Sequence, residues 1–188
     1  MMNRREALSR VAIIMGGTVL GAEAFLSGCK TASTGISFSA ADISFLDEVA
    51  ETILPATNSP GAKEAKVGEF MKVMVTDCYE AKDQIIFMDG MKKLDEASTK
   101  ANGKSFMDSD AKQRHDLLVT LDKEAKAHQT AKKPEEPKHY FTMMKELTLT
   151  GFFTSEVGAT KALRYVAVPG KFEGSVPYTK GEKAWATS

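Results

Sequence analysis

His139-Tyr140-Phe141-Thr142-Met143-Met144-Lys145-Glu146-Leu147-Thr148-Leu149-Thr150-Gly151-Phe152-Phe153 is the stretch that decides how this chain folds. Tyr140, Phe141, Met143, Met144, Leu147, Leu149, Phe152 and Phe153 leave almost no polar side on a helix of about 3.6 residues per turn. A helix that is apolar nearly all round is central in a bundle or lies against a partner. The remaining segments must then be helices that surround it. His139, at its start, reads as structural. Thr154-Ser155 offers a cap for a short helix to about Leu163.

Upstream, four segments have the required pattern. Over 40–54, Ile43, Leu46, Val49, Ala50 and Ile53 recur at helical spacing, Ser39 can cap, Asp42 suits the helix dipole and Pro55 stops the run. Ala56 to Gly61 is turn-rich. Over 63–79, Val67, Phe70, Met71, Met74, Val75 and Cys78 share a face, so Cys78 reads as a buried, inert thiol and the methionines as core filler. Over 81–101, Ile85, Met88, Met91 and Leu94 give a face and Asn102-Gly103 ends it. Gly90 inside this helix costs roughly 1 kcal/mol relative to alanine, which points to close approach of a neighbouring helix. Phe106 and Met107 anchor the next loop. Over 109–128, Leu117, Leu118, Leu121 and Ala125 face inward, with charge outside, and Ala131 to Lys138 is a solvated loop. The spacing predicts an all-α fold, a single helical bundle of about five to six helices spanning 39–188.

From about Arg164 the pattern changes. Pro169, Gly170, Gly174, Pro177 and Gly181 punctuate the chain and exclude helix. Yet Tyr165, Phe172, Tyr178 and Trp185 lie here, and a disordered tail would be poor in aromatics. The segment reads as an ordered, irregular arm that packs on its own helices or grips another protein.

The opening of the chain is an address label. Arg4-Arg5, an apolar run from Val11 to Ala22, and Leu26-Ser27-Gly28-Cys29 make a secretory signal over 1–28. The twin arginine resembles the signal of the Tat route, which exports folded proteins, although Asn3, Ala7 and Ser9 depart from its usual pattern, and Sec export is the alternative. Leu26-Ser27-Gly28-Cys29 resembles a bacterial lipobox with Cys29 as the lipidated residue, and 29–38 a tether. The apolar run, broken at Glu23, falls short of the roughly 20 residues a membrane span needs.

Composition excludes several functions. The chain has 188 residues with 25 basic and 25 acidic side chains, so no charge excess points to nucleic acid. With Cys29 lipidated, Cys78 has no partner for a disulfide within the chain. There is no Gly-x-Gly-x-x-Gly, no Cys-x-x-Cys-His, no paired-cysteine metal motif and no Gly-x-Ser-x-Gly. His115, His128 and His139 never fall at the i, i+4 spacing of a zinc helix, and each reads as an ordinary surface or helix-end residue. Catalytic, cofactor-binding and metal residues are therefore all expected to be absent.

Four segments together resemble the gluconate 2-dehydrogenase subunit 3 family: the twin-arginine signal, Glu51-Thr52-Ile53-Leu54-Pro55, Lys145 to Glu156, and Val176-Pro177-Tyr178-Thr179-Lys180-Gly181-Glu182-Lys183-Ala184-Trp185. The resemblance covers roughly 40–187. It implies a supporting subunit whose partners carry the chemistry: a large flavoprotein of the glucose–methanol–choline (GMC) oxidoreductase type that holds FAD, and a cytochrome c subunit that holds haem. The small subunit would supply the export signal for its folded partner. Candidate partner contacts are Phe152, Phe153, Tyr165, Phe172, Tyr178 and Trp185. The lipobox departs from the plainest version of the family and adds a membrane tether. A free-standing lipid-anchored structural or binding lipoprotein is the alternative reading, and a stand-alone enzyme using Cys78 or a histidine is the third.

Overall fold

A computed structural model describes residues 35–168, 170–171 and 174–186. Five α-helices follow in order: α1 (Ala40–Ile53), α2 (Val67–Cys78), α3 (Ala81–Asn102), α4 (Ala111–Ala131) and α5 (Tyr140–Thr154). A short π-helical segment, Gly158–Ala162, completes the bundle. Among the described residues there is no sheet, only a single parallel bridge between Arg164 and Trp185. The fold is the all-α bundle that the spacing predicts.

Except for α3, each α-helix starts where a side chain accepts from one of its free N–H groups. The Ser39 hydroxyl accepts from the Asp42 N–H, and the Asp42 carboxylate accepts from the Ser39 N–H at 2.8 Å. Asp110 and Gln113 form the same reciprocal pair at the start of α4. Such a cap contributes about 1 kcal/mol. α4 consequently starts at Ala111 and runs to Ala131, rather than over 109–128.

α2 also starts later than its apolar pattern suggests. Residues 62–66 are a turn, and Lys66 holds a left-handed backbone with φ 52°. Helix begins only where Asp47 of α1 accepts from the Gly68 N–H, at 2.7 Å. Gly68 is required there, because a Cβ would sit 2.6 Å from the Ile43 carbonyl oxygen. α1 and α2 thus touch backbone to backbone.

In α3 the inward face is Gln84, Phe87, Gly90, Met91, Leu94 and Ser98. The expectation for Ile85 is corrected, since it is exposed. Gln84 takes the inward position because its amide donates to the Val75 and Thr76 carbonyls at the end of α2 (2.9 and 3.0 Å), which have no partner within their helix. Gly90 does mark a close approach: its missing side chain leaves room for Tyr140 of α5, whose Cγ would lie 2.7 Å from a Cβ at that position.

α5 packs against all four other helices and the π-helical segment, so it is the central element. Phe141, Met143, Met144, Leu147 and Phe152 are buried along it. Around them lie Leu46, Val49, Met71, Val75, Phe87, Leu94, Phe106, Leu118 and Leu121. Removing each large side chain from water contributes about 1.5–3 kcal/mol. Phe106 does anchor its loop, while Met107 is exposed.

One polar tie closes the far side of the bundle. Arg114 of α4 pairs with Glu48 of α1, and its remaining N–H groups donate to the Phe106 and Met107 carbonyls at 2.9 and 2.7 Å. Its guanidinium lies over the Phe106 ring.

Candidate functional site

Two places stand out once the core is accounted for: the C-terminal arm, and a histidine corner where α4 meets α5.

The arm leaves the bundle at Leu163 and returns at its end to touch its own beginning. The Arg164 N–H donates to the Ala184 carbonyl at 2.8 Å, and the Ala186 N–H to the Arg164 carbonyl at 2.9 Å. The Arg164 guanidinium stacks on the Trp185 ring, 3.7 Å from its centroid, and donates to Glu182 at 2.9 Å. Lys183 donates to the Lys161 carbonyl, which holds the returning strand on the π-helical segment. The segment is thus a loop pinned at its base. Its side chains are not tucked in: Tyr178 is 79% exposed, Trp185 46%, and Tyr165, Val166, Val168 and Val176 are exposed as well. Large apolar side chains grouped in one exposed loop are uncommon on a monomer and are a feature of binding surfaces.

The sequence-predicted contacts therefore divide. Tyr165, Tyr178 and Trp185 are available to another molecule, and so is Phe153 on the outer side of α5, at 40% exposure. Phe152 is corrected: it is 3% exposed and belongs to the core, with its ring edge-on to Phe153 at 5.1 Å. Phe172, together with Arg4, Arg5, Leu26, Ser27, Gly28 and Cys29, lies outside the described residues. The tether 29–38 falls mostly outside them as well. Cys78 is also corrected: it is exposed at the last residue of α2. The apolar face of α2 turns in at Val67, Met71 and Val75, and Cys78 lies past the point where Gln84 closes the helix end.

The histidine corner was not legible from spacing. His128 and His139 are separated by the solvated loop, yet their rings stand 5.7 Å apart. His139 is the N-cap of α5, with Nδ1 accepting from the Phe141 N–H at 3.2 Å. It also packs on Tyr140 at 4.4 Å between ring centres. Burial, then the neighbouring His128, holds the His139 imidazole below its ordinary value of 6.5. Burial, then Glu124, pushes the Tyr140 phenol up to about 12. His128 Nδ1 is buried without a hydrogen-bond partner. His115 is exposed elsewhere on α4. Among the described residues no three or more His, Cys, Asp or Glu side chains gather as a metal site would require. No described helix is long and apolar enough to cross a membrane.

On the outer side of the same two helices, Asp122 accepts from Lys145 at 2.6 Å and pairs with Lys126 at 2.7 Å. These bonds, Lys126 first, hold its carboxyl below the usual carboxylate range. Ala125 and Leu149 floor an open groove of about 260 Å³ beside them. Gln129, Thr142 and Glu146 complete its lining.

The geometry defines a class first: an all-α bundle closed round one apolar helix, from which an ordered aromatic loop projects. The family model for gluconate 2-dehydrogenase subunit 3 matches residues 40–170, which takes in every helix of the bundle. The chain belongs to that family. No curated protein and no solved structure matches it.

Proposed function

We propose that this chain is the non-catalytic small subunit of a membrane-associated, flavin-dependent dehydrogenase, and that it helps export and tether its catalytic partner. The partner is a large GMC-type flavoprotein carrying FAD that oxidises a sugar or sugar acid, with a cytochrome c subunit carrying haem as a further member of the complex. Family membership is the observation that carries this reading. Two features support it. The arm exposes Tyr165, Tyr178 and Trp185 on a loop that is already folded, so that docking would order little additional chain. Arg4-Arg5 and Leu26-Ser27-Gly28-Cys29 in the sequence suit Tat export and lipid attachment at Cys29. A flavin inserted in the cytoplasm requires export of a folded protein, and a small subunit bound beforehand can lend its signal.

Affinity purification of the full chain from solubilised membranes, at native abundance, tests the proposal. A co-purifying large subunit with a flavin spectrum and sugar-acid oxidation is the expected result. Recovery of the chain alone, or flavin and turnover in the chain by itself, overturns it. Replacing Arg4 and Arg5 by lysine should strand the chain in the cytoplasm, whereas unchanged export points to the Sec route.

A further inference from the structure

We infer that the His128–His139 corner is an acid-released latch on the central helix. It does not depend on the partner reading above. The first N–H groups of a helix have no partner within it, and the Phe141 N–H finds one in the lone pair of His139 Nδ1. A neutral imidazole can offer that lone pair, because it has one donor nitrogen and one acceptor nitrogen; an imidazolium has two donors and cannot. Protonation of His139 therefore turns the cap's acceptor into a donor that faces another donor. Ser, Thr, Asn and Asp, the residues that usually cap helices, keep their acceptor through the neutral and mildly acid range. Here the cap titrates.

The surroundings on balance oppose a charge on this ring. His128 on α4 lies ring to ring at 5.7 Å and disfavours the charged form of His139. Lys93 on α3 adds to the repulsion, and Glu124 on α4 opposes it. Tyr140, on α5 itself, stays neutral throughout this range. His128 Nδ1 is buried without a partner. Tyr140 is the next residue after the cap, and it fills the gap left by Gly90 on α3. Release of the cap therefore loosens the contact between α3 and the first turn of α5.

The direction follows from proton linkage. The folded state holds His139 below 6.5, so below that pH the unfolded chain takes up a proton that the folded one resists. Stability from this group is complete above 6.5 and is lost as pH falls towards the folded value.

The test compares the full chain with His139→Asn, which keeps a capping acceptor and does not titrate. Thermal unfolding at about pH 7.5 and about pH 5 should show the wild type losing about 2–4 °C more than the variant over that interval. His128→Asn should reduce the wild-type loss. Amide exchange at Phe141 and Thr142 should speed up in acid in the wild type, ahead of amides in the middle of α5. Equal pH dependence in wild type and His139→Asn overturns the inference, and so does unchanged exchange at Phe141. If His139→Asn does not fold, the wild-type exchange profile and the NMR titration of His139 decide alone: a His139 that titrates at or above 6.5 sinks the latch.

Discussion

The body and the arm of this protein solve opposite problems with the same kinds of residue. In the body, Phe87, Phe141 and Phe152 are spaced along helices and disappear into the core. In the arm, Tyr165, Tyr178 and Trp185 are spaced by Pro and Gly and stay in water. What differs is the backbone. A helix stacks residues three and four apart onto one face, so its apolar groups can be buried together. An irregular loop has no such face, and this one is pinned at its base through Arg164, Glu182 and Trp185. Regular spacing thus marks aromatics that stabilise the fold. Aromatics without spacing, on a pinned loop, stay exposed.

If that contrast is right, substitutions in the body should act on stability and those in the arm should not. The largest expected effect is Phe106→Ala. The ring is fully buried, packs against Phe45 at 5.5 Å between ring centres, and supports Arg114. A loss of about 3–5 kcal/mol is expected in chemical denaturation. A loss below about 1 kcal/mol would mean that the far side of the bundle is loosely packed. Gly90→Val should follow at about 2–3 kcal/mol, because its Cβ meets the root of the Tyr140 side chain rather than a flexible tip.

Asp47 gives the next step and separates charge from hydrogen bonding. Its carboxyl is held above the ordinary 3.8, chiefly by burial, which outweighs the Gly68 N–H that favours the ionised form. An acid whose folded value is raised binds its proton more tightly in the folded state. Its ionisation therefore erodes stability as pH rises from 3.8 through the folded value, and the erosion is complete at neutral pH. Asp47→Asn keeps an oxygen for Gly68 and removes the charge, so at neutral pH it should leave stability unchanged or slightly higher. Asp47→Ala leaves the Gly68 N–H unsatisfied and should cost about 1–2 kcal/mol. Equal losses in the two variants would show that the charge, not the acceptor, holds the start of α2.

These cases also show what could be read from sequence. The helices, the central place of α5 and the role of Gly90 all follow from period and from the cost of an unneeded glycine. What could not be read arises wherever a polar group outranks periodicity. Gln84 turns inward to serve the carbonyls of α2 and displaces Ile85 to the surface. Lys66 adopts φ 52° and delays α2 until Asp47 can cap it. Cys78 sits on the apolar stripe by count and outside it in space, because the helix ends there. The meeting of His128 with His139, and of Arg164 with Trp185, depends on how intervening loops close. No local pattern encodes that closure.

Arg164→Ala has the smallest expected loss of stability and is the most informative about the arm. The substitution removes the stack on Trp185 and the bond to Glu182, while the backbone bridge to residues 184 and 186 can persist. A cation over a partly exposed ring contributes about 0.5–1 kcal/mol, and that energy holds the loop rather than the core. Thermal unfolding of the body should therefore shift by no more than about 2–3 °C. Trp185 is the only tryptophan, so its fluorescence reports the clasp directly. Emission should move to the red as the ring loses the guanidinium, and limited proteolysis should cut between 164 and 186 sooner. Arg164→Lys should restore charge but not the planar stack, and its emission should stay close to that of the alanine variant. If alanine at 164 instead lowers the stability of the whole bundle by several kcal/mol, arm and body are one cooperative unit. The exposed aromatics of the loop would then have to be explained as part of the fold.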